Sequence, residues 1–171
     1  MSLSAFSTSL GPVAYKSRQA DFFELSPVPL WLEDWSDART LLRSWKPADG
    51  AAVRELLRGD PERVRACARL VRVIRVNKAA LELYDAKGEM DLIDNVDRIF
   101  SGDFMPSLAE QLSQLWARNA CAHVAVSSTL SGRKIHVSTK CRAMPSHEND
   151  WRQVLISTED VTALSETRRG H

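Results

Sequence analysis

After Asn119 the side-chain pattern switches to a period of two. Residues 121–130, 133–144 and 151–161 then read as three successive strands. Ser131-Gly132 supplies a short turn between the first pair, and the polar stretch Ser146 to Asp150 joins the second pair. Parallel neighbours would need long crossovers, so strands this close in sequence pair as antiparallel hairpins. This run commits the chain to an antiparallel sheet, and the residues before it must supply whatever covers that sheet.

Those earlier residues are mostly helical in pattern. Residues 1–13 are Ser-rich, contain Gly11-Pro12 and read as a loose arm. A helix is expected from about Ala14 to Leu25, with Phe22, Phe23 and Leu25 as buried positions. Ser26-Pro27-Val28-Pro29 stops it, because a residue before proline avoids the helical region. Leu30 to Trp35 reads as a short strand with Trp31 and Trp35 on the same side of the pleat. Glu33 and Asp34 are adjacent there, so they point to opposite faces and cannot share a proton.

Three short helices follow, capped by Ser36, Asp49 and Asp60. Their inward faces are Ala38, Leu41, Leu42 and Trp45, then Val53, Leu56 and Leu57, then Val64, Cys67, Ala68 and Val71. Seven arginines lie between Arg54 and Arg75, read as a solvated outer face, with a docking surface for an acidic partner as the alternative. Val71 to Val76 is a strand, and Asn77 caps a helix over 78–84. Residues 89–100 read as one or two single-turn helices offering Met90, Leu92, Ile93, Val96, Ile99 and Phe100 to the core. Ser101-Gly102-Asp103 breaks the chain. The segment 104–118 is the most periodic helix, with Phe104, Leu108, Leu112, Leu115 and Trp116 on one face.

At 171 residues the chain fits one domain. A net charge of +1 argues against a nucleic-acid binder that relies on a basic field. No apolar run approaches the roughly 20 residues that span a bilayer. Residues 1–15 carry no secretory pattern. Cys67, Cys121 and Cys141 are sparse and odd in number, which suggests free thiols in a reducing, cytoplasmic setting.

The element order is helix, strand, helices, strand, short helices, one longer helix and three antiparallel strands. It resembles the PAS fold, in which five antiparallel strands wrap around small helices. Val73 to Tyr84 looks like that family's second strand running into an asparagine-capped helix. Leu130-Ser131-Gly132-Arg133 sits where PAS domains place a polar-glycine turn. Asp160-Val161-Thr162 looks like the ending at which the last PAS strand passes into a signalling helix. Phe23 to Pro27 resembles the family's lead-in. The resemblance implies an α+β fold with helices on one face of the sheet. Residues 1–19 would form the arm and the start of a flanking helix, and 20–165 the PAS domain. A helical insert of about 36–70 would separate the first two strands, where the family usually has a tight turn. Residues 166–171 would begin an outgoing helix.

The resemblance further implies a cytoplasmic, homodimeric sensor in signal transduction. It would be the input module of a two-component histidine kinase or a diguanylate cyclase. Asp160 and Thr162 would act in signal relay, with Thr162 as the cap that starts the outgoing helix. Flavin is disfavoured, because Asp94 to Phe100 lacks the reactive cysteine of the light-sensing relatives. Histidine-ligated haem is disfavoured too, because no histidine precedes His123.

A ligand site is expected between the long helix and the sheet, lined by Leu112, Leu115, Trp116, Val124, Val126, Ile135, Val137 and Thr139. This reading puts Val124, Val126 and Ser128 on the inner face of the third strand, and Ile135, Val137, Thr139 and Cys141 on that of the fourth. Trp31, Trp35 and Trp151 have a second reading, as an aromatic patch on the sheet. Cys121, His123, His136 and Cys141 share one hairpin. The expected register, with Cys121 near Cys141 or Arg142, holds the histidines too far apart for zinc. No motif of a nucleotide-binding loop, serine hydrolase or zinc peptidase occurs, so no catalytic residue is expected. The alternatives are a ligand-free dimerisation or interaction module docking through the insert, and a small enzyme built on a buried acid or base of displaced pKa.

Overall fold

The computed structural model describes residues 21–99 and 104–170. Residues 21–25 are helical, and the expected arm and the start of its helix lie outside the described residues, as does the break at 101–103. Five strands follow: β1 (Leu30–Asp34), β2 (Arg72–Val76), β3 (Ala120–Ser128), β4 (Lys134–Ala143) and β5 (Val154–Asp160). They form one antiparallel sheet in the order β2-β1-β5-β4-β3. The helices are α1 (Ser36–Ser44), α2 (Gly50–Arg58), α3 (Pro61–Ala68), α4 (Lys78–Leu83), α5 (Glu89–Asp94), α6 (Val96–Ile99), α7 (Phe104–Arg118) and α8 (Thr162–Arg169). The architecture is the expected α+β one, with helices packed over one face of the sheet.

Helix starts follow local chemistry. Asp49 accepts from the Ala52 amide at 2.8 Å, and Asp60 from the Arg63 amide at 3.2 Å. Ser36 is no cap: it is the first residue of α1, and its amide donates to the Asp34 carboxylate at 2.9 Å. Asn77 is fully buried and does more than cap α4. Its Oδ1 accepts from the amides of Ala80 and Leu30, at 3.0 and 2.9 Å, and its Nδ2 donates to the carbonyls of Phe23 and Val28. One side chain therefore ties α4, β1 and the lead-in segment together.

The insert packs inward. Helices α1 to α3 lean on each other, and α2 and α3 lie against α7. At Gly50 an added Cβ would stand 2.7 Å from the Ala117 Cβ and 2.9 Å from the Ser113 carbonyl, so α2 approaches α7 at a spacing that excludes a side chain. Several of the arginines between Arg54 and Arg75 are engaged within the chain. Arg54 makes a two-pronged bond to Glu110, Arg65 bonds Glu62, Arg72 pairs with Asp34 and Asp37, and Arg63 lies over the Trp45 ring.

Some expected core positions lie outside it. Phe22 and Leu25 are each 78% exposed, and Met90 at the start of α5 faces solvent. Trp151 is not in a strand. It has a φ of 56° in the β4–β5 connection, where its carbonyl accepts from the Trp35 amide at 2.8 Å. The three tryptophans form no patch on the sheet surface: Trp31, Trp35 and Trp151 are buried, and Trp151 meets Trp116 edge-on with centroids 6.1 Å apart.

The β3–β4 register places Cys121 opposite Cys141, His123 opposite Thr139 and Val126 opposite His136. The cysteines form a disulfide across a Cα separation of 4.9 Å, which corrects the expectation of free thiols for this pair. Cys67 stays free and buried, and burial pushes its thiol up to about 11. Among the described residues no helix is long and apolar enough to cross a membrane.

Candidate functional site

The inner face of the sheet and α7 enclose a mostly apolar cavity of about 120 Å³. Trp31, Glu33 and Trp35 reach it from β1 and its end, because alternate residues of a strand share a face. Val137 and Thr139 reach it from β4, Ile156 and Thr158 from β5, and Ala125 and Ser127 from β3. Leu108, Ser107 and Gln111 close it from α7, and Ala68 and Val73 from the insert and β2.

Its polar groups are unevenly satisfied. The Trp31 Nε1–H donates to Thr158 Oγ1 at 3.1 Å, and the Ser127 hydroxyl donates to the Ile99 carbonyl at 2.8 Å. Glu33 is 8% exposed. One of its oxygens accepts from the Trp35 Nε1–H at 2.6 Å, and the other has no partner among the described residues. Burial pushes the Glu33 carboxyl up to about 7, against the lowering effect of the indole bond.

The residues expected at this site divide. Val137, Thr139 and Val126 border the cavity. Leu112, Leu115 and Ile135 are buried in the surrounding core and do not line it. Trp116 stacks edge-on with Trp151, and the Arg39 guanidinium lies 5.6 Å from both ring centroids. Val124 is 54% exposed on the outer face, opposite Ser138. The inner residues of β3 are Cys121, His123, Ala125 and Ser127, and the face expected from Val124, Val126 and Ser128 is the outer one, although half-buried Val126 still touches the cavity's edge between Ala125 and Ser127. Apolar residues occur on both parities of this strand, so hydrophobicity does not select its buried face. The position of α7 does.

Sequence reasoning passed over Glu33, although its signal was present. Trp31 and Trp35 share a side, and the residue midway between them shares it too.

β5 links the cavity wall to the last helix. Thr158 lines the cavity, and two residues later β5 ends at Asp160. Thr162 is the first residue of α8 and not its cap. The cap position is Val161, and the Asp160 carboxylate accepts from the Thr162 amide at 3.0 Å and from its hydroxyl. Thr162 Oγ1 in turn accepts from the His136 amide at 3.0 Å, and the His136 carbonyl accepts from the Val161 amide at 2.8 Å. Arg169, the last residue of α8, places a guanidinium nitrogen 3.3 Å from His136 Nε2. His136 on β4 thus grips both ends of α8. Arg133 adds longer contacts to Asp160 and Asp85, at 4.0 and 3.7 Å.

No family model matches the chain, and no curated protein matches it by sequence. Solved structures do match by shape. A PAS domain of a protein from Colwellia psychrerythraea superposes with a TM-score of 0.57 at 14% identity, covering 87% of this chain and 98% of that one. The PAS domain, in complex with ethanol, of a LuxR-family transcriptional regulator from Burkholderia thailandensis gives 0.52 at 12% identity, covering 83% and 96%. A PAS domain from a two-component sensor histidine kinase gives 0.51 at 13%, covering 86% and 96%. The sheet order, the helical layer and these superpositions together establish that the chain has the PAS fold.

Proposed function

We propose that residues 20–165 form a sensory domain that takes a small molecule into the cavity beneath the sheet and relays its presence through α8. The carrying observation is continuity: β5 contributes Ile156 and Thr158 to the cavity wall and, two residues on, the Asp160 carboxylate that holds the start of α8. A ligand that prefers one arrangement of β5 and β4 biases that helix by its difference in affinity for the two states. The Burkholderia neighbour binds ethanol, which supports a ligand of small size here.

The output module on this reading is a histidine kinase or a diguanylate cyclase, acting in a homodimer. The role is binding and not catalysis. Glu33 meets the condition of a buried acid of displaced pKa, but among the described residues no second carboxylate and no histidine, lysine or cysteine lines the cavity to activate its serine and threonine hydroxyls. Docking through the insert is the weaker reading, because the arginines that would carry it are partly held within the chain: Arg54 by Glu110 and Arg65 by Glu62.

A thermal-shift and calorimetric screen of small alcohols, amines and hydrocarbons tests the reading, with Ala125→Leu as the control that fills the cavity. Saturable binding that the substitution abolishes is the expected result. Binding that persists in Ala125→Leu, or none across the panel, overturns it.

A further inference from the structure

The cavity's chemistry narrows its ligand, on the assumption that the cavity is a ligand site at all. Glu33 is more than nine-tenths buried, and it keeps one oxygen without a protein partner. Among the described residues that line the cavity there is no lysine, arginine or histidine. A buried carboxylate with no counter-charge is costly, which is why Glu33 holds its proton up to about 7, and a cation hydrogen-bonded to the ionised form removes most of that cost. A ligand carboxylate would meet like charge. A ligand hydroxyl would satisfy a lone pair and leave the charge uncompensated. An ammonium group supplies both the donor and the charge. The remaining walls suit the rest of such a molecule, because they are mostly apolar. At about 120 Å³ the space is close to that of a cavity able to hold a single benzene-sized ring.

We infer that the cavity selects small, largely apolar primary amines, whose ammonium group pairs with the unpartnered oxygen of Glu33. The probes are two pairs of near-isosteres, benzylamine with benzyl alcohol and isobutylamine with isobutanol, titrated calorimetrically at about pH 8, above the raised value of Glu33, into the whole protein and into Glu33→Gln. The expected result is that the amine of at least one pair binds at least about tenfold more tightly than its alcohol, a difference that one charge-assisted hydrogen bond supplies. Glu33→Gln should erase that preference and leave the alcohol's affinity in place. Equal affinity of amine and alcohol in the unaltered protein overturns the amine assignment while leaving the cavity as a ligand site. A preference that survives in Glu33→Gln overturns the role of Glu33. If none of the four probes binds, the amine assignment fails, and the wider screen with Ala125→Leu then decides the cavity reading separately. The comparison within the unaltered protein needs no variant, so poor folding of Glu33→Gln does not shelter the inference.

Discussion

The indole N–H of Trp35 donates to the carboxyl of Glu33 at 2.6 Å, on the inner side of a sheet where both residues are buried. Among the described residues this is the one hydrogen bond that eases a carboxyl set in mostly apolar walls. It does not offset burial, which is why the group titrates near 7.

Stability should therefore depend on pH through Glu33 in the direction opposite to an ordinary paired carboxylate. The folded state keeps its proton up to about 7, against 4.5 for the free group. Its contribution is fully present below pH 4.5 and is lost as pH rises through 7. The neighbouring inner-face groups, Tyr84 and Cys67, are pushed up to about 12 and 11 and stay protonated throughout, while Asp34 and Arg72 lie on the other face. Glu33→Gln removes the titration. Its stability relative to the unaltered protein should rise by on the order of 3 kcal/mol across that window, read by urea denaturation at several pH values. A difference that is flat with pH contradicts the burial assigned to Glu33.

Asn77→Ala should be among the most damaging single changes. It leaves the amides of Leu30 and Ala80 and the carbonyls of Phe23 and Val28 without their side-chain partner. Each orphaned buried group costs roughly 1–3 kcal/mol, so a loss of about 4 kcal/mol is expected in equilibrium denaturation. A loss no larger than that of a lone helix cap, about 1 kcal/mol, would mean that the strand and lead-in bonds add nothing.

Gly50→Ala tests whether the insert is locked to α7. The new methyl group meets Ala117 and the Ser113 carbonyl at distances real side chains do not adopt. The helices must separate, at a cost of about 1–3 kcal/mol. An unchanged denaturation midpoint would show that α2 is free to shift.

Much of the fold was legible in the sequence, and the reasons are local. Asp49, Asp60 and Asn77 announce their helices because a capping carboxylate or amide acts within three residues. The turn at Ser131-Gly132 fixed the hairpin register to within one residue, and Gly132 has the φ of 89° that such a turn needs. The site was less legible, because it depends on which face α7 covers. On β4 hydrophobic and hydrophilic residues alternate cleanly, and the inner face was read correctly. On β3 Val124 looked inward and is exposed. The role of Thr162 was read as a cap because threonine often serves so. Here Asp160, two residues earlier, occupies its amide, and the hydroxyl is left to bind β4. That bond joins residues 26 apart in sequence and has no local signature.

The central claim is that cavity and outgoing helix communicate, and amide NMR during a ligand titration tests it most directly. A screened ligand should shift the amides of cavity residues Thr139 and Thr158, and at the same concentration those of His136, Thr162 and the rest of α8. In Thr162→Val, which cuts the bond to the His136 amide, the cavity shifts should remain while the α8 shifts collapse. Shifts confined to the cavity in the unaltered protein, or α8 shifts that persist undiminished in Thr162→Val, would contradict the relay.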